Sequence, residues 1–335
     1  MPLFALLLAC TSADPQEEPY DPYWDCGDKC LGHSFPTLEL DAYSENPYLC
    51  LSWTLDNDAS LWINAVATEN DGFIHHANWY WVPETFNEMD DGAWRCSQGD
   101  FTEFMGVLSG GVLYAQSTQA TQEVQQFEPG AAVEIPARSR IIAATHTLNY
   151  TDEIQNSAVR VELHALDQDQ VTTVLKPLRL SYNDLYIPAG QSTAHQGDCD
   201  LTRLYDDNVD AKLHYLLPHY HGWGTGFELE VLGGPRDGEL IYGVQDVVGD
   251  ALGHTFDTPY DLTGADGLRF RCLHDNPGNT DVVFGNAEGE MCMMLGFADT
   301  DKRFTADVNE TLDSSVDGDN VLVRSGDCFV VGGEI

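Results

Sequence analysis

The stretch Leu213-His214-Tyr215-Leu216-Leu217-Pro218-His219-Tyr220-His221-Gly222-Trp223 reads as an apolar β-strand ending in a polar turn. Residues i and i+2 of a strand project from the same face, so His219 and His221 aim two imidazoles at one point. Similar short alternating or apolar runs recur along the chain. They are Tyr48 to Thr54, Ser60 to Ala67, Gly111 to Tyr114, Arg140 to Leu148, Val159 to Ala165, Leu185 to Ile187, Phe227 to Val231, Leu268 to Cys272 and Met291 to Phe297. Gly, Pro, Asn and Asp punctuate them, and no long stretch has helical periodicity. The pattern predicts an all-β chain of two tandem antiparallel β-sandwich domains.

The segment Gly289-Glu290-Met291-Cys292 brings a thioether, Met291, from a part of the chain distant from His219 and His221. Two imidazoles and a thioether suit copper, above all Cu(I), better than Zn²⁺, Mg²⁺ or Ca²⁺. Upstream stand Gly72-Phe73-Ile74-His75-His76-Ala77-Asn78 and Ile141-Ile142-Ala143-Ala144-Thr145-His146-Thr147-Leu148-Asn149. Adjacent residues on a regular strand face opposite ways, so His75 and His76 can serve one metal only at a bulge or a strand end. A half-buried His-x-His beside a core Met, and a surface His-His pair, are the bland alternatives.

In their order, these segments resemble the copper type II, ascorbate-dependent monooxygenases, the family of peptidylglycine α-hydroxylating monooxygenase and dopamine β-monooxygenase. The family order is a His-His pair, a His in a His-x-x-Asn-like segment, a His-x-His-x-x-Gly segment, and Glu-Met-Cys; after His221 the glycines here fall at Gly222 and Gly224, so the third segment matches loosely. The resemblance covers about residues 37 to 300. It implies jelly-roll-like domains, each carrying a copper site that faces an interdomain cleft, and two coppers per chain. His75, His76 and His146 would form the electron-transfer site, and His219, His221 and Met291 the oxygen-activating one. The implied reaction is hydroxylation of a C–H bond of a small molecule with O₂ and an external donor such as ascorbate. The resemblance also suggests the bridges Cys50–Cys96, Cys272–Cys292 and Cys199–Cys328, leaving Cys26–Cys30 as a local one.

Three departures bear on substrate. Ala144 stands where the family places a Gln, Leu217-Pro218 where an Arg that grips a carboxylate would fall, and Met293-Met294 where peptide-amidating members place Asn and Tyr. Peptide amidation is therefore not expected. A non-catalytic surface copper-binding lipoprotein on the same scaffold is the rival reading, and an adhesion or assembly protein with structural histidines is a third. His214 is either an orienting group behind a ligand or a packed strand residue. His33, His164, His195, His254 and His274 match nothing in the family pattern.

Residues 1–10, ending Leu7-Leu8-Ala9-Cys10, look like a lipoprotein signal in which Cys10 carries the lipid; an ordinary secretory signal or a buried apolar N-terminus are the alternatives. Residues 11–25 read as an acidic tether, 26–182 as the first sandwich and 183–335 as the second. The expected location is thus the bacterial outer membrane or cell surface. Nine cysteines, eight without Cys10, are an even set that fits an exported, disulfide-bonded chain. A net charge of −40, from 15 basic and 55 acidic residues, argues against a nucleic-acid or anionic-membrane surface. Asp313, Asp317 and Asp319 lack the full spacing of a Ca²⁺ loop and read as a solvated turn.

Overall fold

In a computed structural model, residues 29–207, 209–245, 248–285 and 289–334 are described. Cys10, the leader, the acidic tether and Cys26 lie outside them. The described residues form twenty-six strands and one α-helix, Glu103–Ser109. The fold is jelly-roll-like and almost entirely β, as the recurring short runs predict. No helix among the described residues is long and apolar enough to cross a membrane.

The first sandwich pairs two sheets. One runs in the order Gly92–Arg95, Ser44–Thr54, Arg140–Asn149, Ile74–Val82, Gly111–Ala115. The other begins Cys30–Ser34, Val159–Leu166, Leu61–Asn70, Ala131–Ile135. Between them lies an apolar core that includes Leu51, Ile63, Trp79, Leu113, Ile141 and Leu163. Arg140–Asn149 is buried along its whole length, as a central strand covered on both faces must be.

The second of these sheets does not stop at the first sandwich. It continues through Thr173–Tyr182, Met293–Asp299, Lys212–His219 and His254–Asp261 into the second half of the chain. Thr173 and Val174 pair in parallel with Ala131 and Ala132 of the first half. From Leu175 onward the same strand pairs with Met293–Asp299, and from Leu178 with Lys302–Val308 as well. Facing this extension is a six-stranded sheet in the order Leu240–Val244, Gly224–Leu232, Gly267–Asn276, Gln191–Asp200, Leu322–Asp327, Asp313–Val316. Leu180, Leu216, Phe227, Phe270 and Met294 fill the space between them. Most pairings are antiparallel, as expected. Parallel pairs occur at Thr173–Tyr182 with Ala131–Ile135 and with Lys302–Val308, and at Gln191–Asp200 with Leu322–Asp327.

A third apolar cluster joins the halves: Tyr80, Trp94, Phe101, Phe127 and Ile142 from the first meet Leu175, Tyr215, Leu217, Leu295 and Phe297 from the second. Phe127 and Phe297 pack with ring centroids 5.1 Å apart. Each such side chain contributes about 1.5–3 kcal/mol on full burial. This cluster forms an apolar seam between the halves.

The bridges Cys50–Cys96, Cys199–Cys328 and Cys272–Cys292 are present. Cys30 is also disulfide-bonded. Such a set belongs to an oxidising, exported environment. Of the three aspartates expected in a solvated turn, Asp313 lies instead on the exposed edge strand Asp313–Val316, and Asp317 and Asp319 lie in the turn after it, with Asp317 Oδ1 accepting from the backbone N–H groups of Asp319 and Val321, both at 2.9 Å.

Candidate metal centre

The five histidines expected in two separate sets come together. Ring centroids lie 5.0 Å apart for His75 and His146, 5.3 Å for His76 and His146, and 5.4 Å for His219 and His221. Across the sets the spacing is the same: 4.9 Å for His75 and His221, and 4.9 Å for His76 and His219. The expectation of two sites held apart across a cleft is therefore not met by these rings, which form one buried cluster.

A backbone irregularity makes this possible. Along Ile74–Val82, His76 pairs with His146 but the next partner of Thr147 is Ile74, so His75 is an extra residue. This is a β-bulge, and it lets two adjacent imidazoles serve one cluster. The other neighbour of Arg140–Asn149 is irregular at the same point: Thr145 pairs with Leu49 and Thr147 with Asn46. His219 ends its strand, opposite Met293. His221 lies one turn further, where Gly224 N–H donates to the His221 carbonyl at 3.0 Å.

One loop spaces the two histidine segments. Gln119 N–H donates to the His75 carbonyl at 2.6 Å, and the Thr118 hydroxyl donates to the Tyr220 carbonyl at 2.6 Å. Gln119 takes a left-handed φ of 60°, a conformation uncommon outside Gly, Asn and Asp.

Glu290 is the second organiser. Its carboxylate is fully buried and accepts from the backbone N–H groups of His221, of Trp223 at 2.9 Å and of Met291 at 2.8 Å. It thereby staples the His221 turn to the Met291 segment. Burial pushes its pKa up to about 7, against the pull of these donors. The motif Glu-Met-Cys drew attention to Met291, and nothing in the sequence marked its neighbour as an acceptor for a turn 69 residues away.

Eight of the ten ring nitrogens have no hydrogen-bond partner. The other two are His146 Nε2, 3.0 Å from Glu45 Oε1, and His221 Nδ1, 3.0 Å from the Gly289 carbonyl. A buried polar group left unpaired costs about 1–3 kcal/mol, so a fold tolerates such a cluster for a reason. Burial lowers the pKa of every ring, most strongly for His76 and His219. His75 falls to about 3 and His221 to about 4. Neighbouring imidazoles add to the effect. Glu45 opposes it at His146, as the nearby Gln116 backbone does at His219 without closing a hydrogen bond. At neutral pH all five are neutral imidazoles, the form that binds metal. Ligand atoms of His76, His219 and His221 all lie within 4.8 Å of one another. The donor set therefore fits a nitrogen-liganded transition metal such as copper or zinc.

A cavity of about 1010 Å³ opens beside the cluster. His76, His146 and Met291 line it together with Tyr48, Phe101 and Phe284. The thioether expected as a ligand thus faces the same space as two of the imidazoles. Ala144 and Met293, two of the departures from the family pattern, also line this cavity. Met294 lies in the second core and Leu217 in the apolar seam. Arg179, on the cavity wall, donates to Asp307 at 2.7 Å and to Thr305 at 3.0 Å.

Two histidines outside the family pattern form a pair of their own. His195 Nδ1 lies 3.3 Å from His274 Nδ1, His195 Nε2 lies 3.1 Å from the Tyr186 carbonyl, and His274 Nε2 lies 3.4 Å from the Met291 carbonyl. His214 sits against Glu128, away from the cluster.

No family model and no curated protein matches the chain. Solved structures align with it loosely. The major capsid protein P2 of bacteriophage PM2 covers 81% of this chain and 97% of its own at 9% identity, with a TM-score of 0.30. A triple jelly-roll structure from an archaeal virus covers 78% and 58% at 6% identity, TM-score 0.22. The PBSX exported protein XepA covers 81% and 87% at 9% identity, TM-score 0.21. All these scores are low.

Proposed function

We propose that the chain is a copper-dependent monooxygenase, hydroxylating a C–H bond of a small molecule with O₂ and an external donor such as ascorbate. The observation that carries this reading is the cluster of five buried, neutral and largely unpartnered imidazoles beside a cavity that also contains Met291. Copper, when bound, supplies one-electron redox chemistry and oxygen activation. The protein's own groups do the rest. His76, His146, His219 and His221 hold metal, with His75 beside them and Met291 on the cavity side. Glu290 fixes the His221 turn, and the Cys272–Cys292 bridge braces the residue next to Met291. Phe101, Phe284 and Met293 give the cavity apolar walls that accept a small substrate and exclude bulk water. The reading includes attachment of the exported chain to a membrane through lipid on Cys10.

The test is oxygen uptake by copper-loaded protein with ascorbate and a panel of small apolar substrates. Uptake coupled to hydroxylated product supports the reading. Uptake that yields only peroxide, or none, refutes it and favours a non-catalytic surface copper-binding lipoprotein. One observation favours that rival: among the described cavity residues the guanidinium of Arg179 is already paired, so no free cation grips a substrate carboxylate.

A further inference from the structure

The grouping of the histidines differs from the grouping that their order in the chain suggests. Among the described residues, the three side chains whose ligand atoms converge are His76, His219 and His221. His76 belongs to the five-stranded sheet of the first sandwich, between Arg140–Asn149 and Gly111–Ala115. His219 ends a strand of the second half, between Met293–Asp299 and His254–Asp261. His221 follows it on the same segment. All three rings are buried, and His76 and His219 use neither ring nitrogen in a hydrogen bond.

We infer that the chain's tightest metal site is His76–His219–His221, a three-imidazole site shared between the two sandwiches, so that a bound Cu²⁺ or Zn²⁺ ion clips one half to the other. This builds on the metal centre proposed above and replaces the two sets that the family resemblance implies, His75–His76–His146 and His219–His221–Met291.

Three features support the clip. Metal–nitrogen distances near 2.0–2.1 Å need donors that can close to roughly 3.3 Å of one another, and atoms already within 4.8 Å reach this by small ring movements. The two segments that carry the donors are spaced by the same loop, through Gln119 to His75 and Thr118 to Tyr220. Among the described residues, polar ties across the halves near the site include Leu252 N–H to Ser117 Oγ at 2.9 Å and Gly249 N–H to the Thr118 carbonyl at 3.0 Å. An ion bound by both halves adds a strong tie at the end of the apolar seam, two residues beyond Leu217. His75 and His146 lie against the triad and complete the cluster without being needed to hold this ion.

The experiment titrates the full chain with Zn²⁺ and, separately, with Cu²⁺, and follows ions per chain, affinity, thermal midpoint and backbone amide exchange. The clip predicts one tight ion. His76→Ala and His219→Ala each weaken it by at least about 100-fold, since changes to groups merely behind a ligand cost 10–100-fold. Both variants lose the metal-induced rise in midpoint, whereas His75→Ala and Met291→Ala keep it. In the unaltered protein, Zn²⁺ slows amide exchange in both the His75–Ala77 and the Tyr220–Trp223 segments. This last measurement decides the matter even if a variant fails to fold.

Slowing confined to one segment overturns the clip. So do two comparable ions, one lost in His146→Ala and the other in Met291→Ala, a result that restores the two-set arrangement. Failure of the oxygenase reading is distinguishable from either outcome. A zinc clip with the predicted variant pattern and no ascorbate-driven oxygen uptake leaves the site standing and removes the chemistry.

Discussion

The molecule buries two groups of histidines, and they are built on opposite principles. His195 and His274 face each other in the second sandwich with their nitrogens directed at partners: each other, the Tyr186 carbonyl and the Met291 carbonyl. The five at the sandwich interface are also buried, yet eight of their nitrogens face no partner. Burial depresses the pKa of both groups, with His195 at about 3 and His274 at about 4. Depth and titration therefore do not separate the partnered pair from the unpartnered cluster. The state of their hydrogen bonds does.

The contrast can be broken most severely at Glu290. Replacing it with Ala strips a common acceptor from the backbone N–H groups of His221, Trp223 and Met291. At about 1–3 kcal/mol per orphaned donor, metal-free Glu290→Ala loses at least about 3 kcal/mol by urea denaturation. Glu290→Gln, which keeps an acceptor oxygen, loses less. If the two substitutions cost the same, the carboxylate is not the staple described.

Metal affinity gives the next contrast. His221→Ala weakens Zn²⁺ binding on the order of 100-fold, and His195→Asn leaves it within about threefold, measured by competition with a chromophoric chelator. Equal losses would mean that the partnered pair belongs to the metal centre.

Acid stability sharpens the comparison further. His195 and His274 have folded pKa values of about 3 and about 4, below the roughly 6.5 of an unfolded histidine. Between these values the unfolded chain binds more protons than the folded one. The neutral pair's contribution is therefore complete above about pH 6.5 and is lost as pH falls toward 4, by up to about 1.4 kcal/mol per unit for each ring. The double variant His195→Asn, His274→Asn has a shallower decline in denaturant midpoint over that range. An unchanged slope would show that the pair does not resist protonation.

The smallest effect is at Thr118. Thr118→Val removes one hydrogen bond to the Tyr220 carbonyl and costs about 1 kcal/mol. It also alters the absorption spectrum of the Co²⁺-substituted centre, and Thr118→Ser restores both. A stability loss with an unaltered spectrum would make Thr118 a packing residue only.

Much of the β architecture was legible. Arg140–Asn149 and Val159–Leu166 lie within one residue of the runs that predict them: the first is buried along its whole length, and the second alternates buried Val159, Val161, Leu163 and Ala165 with half-buried Arg160 and His164. Gln191–Asp200 was not legible: Gln-Ser-Thr-Ala-His-Gln-Gly-Asp-Cys-Asp reads as a polar loop, yet it is a central strand. Its polar groups meet partners that only the fold supplies, half-buried Asp198 accepting from Arg269 at 2.8 Å and buried His195 facing His274. The helix Glu103–Ser109, capped by the Thr102 side chain, is too short to leave a periodic signal. At the site, the residue types and their order were visible in sequence. The bulge at His75, the staple at Glu290 and the spacer at Thr118–Gln119 were not, since each depends on a backbone contact between distant segments.

The strand Thr173–Tyr182 has a mechanical consequence. It enters beside Ala131–Ile135 of one half and ends beside Met293–Asp299 and Lys302–Val308 of the other, so one hydrogen-bonded ladder welds both shells into a single plate. A clamshell motion would have to tear that ladder and shear the Phe127–Phe297 contact beneath it. The plate is stiff in the direction in which hinged two-shell proteins are soft. Access to the cavity then falls to side chains on its wall, where Tyr48 is exposed and Phe284 half-buried, rather than to a hinge that would change the spacing of the histidines.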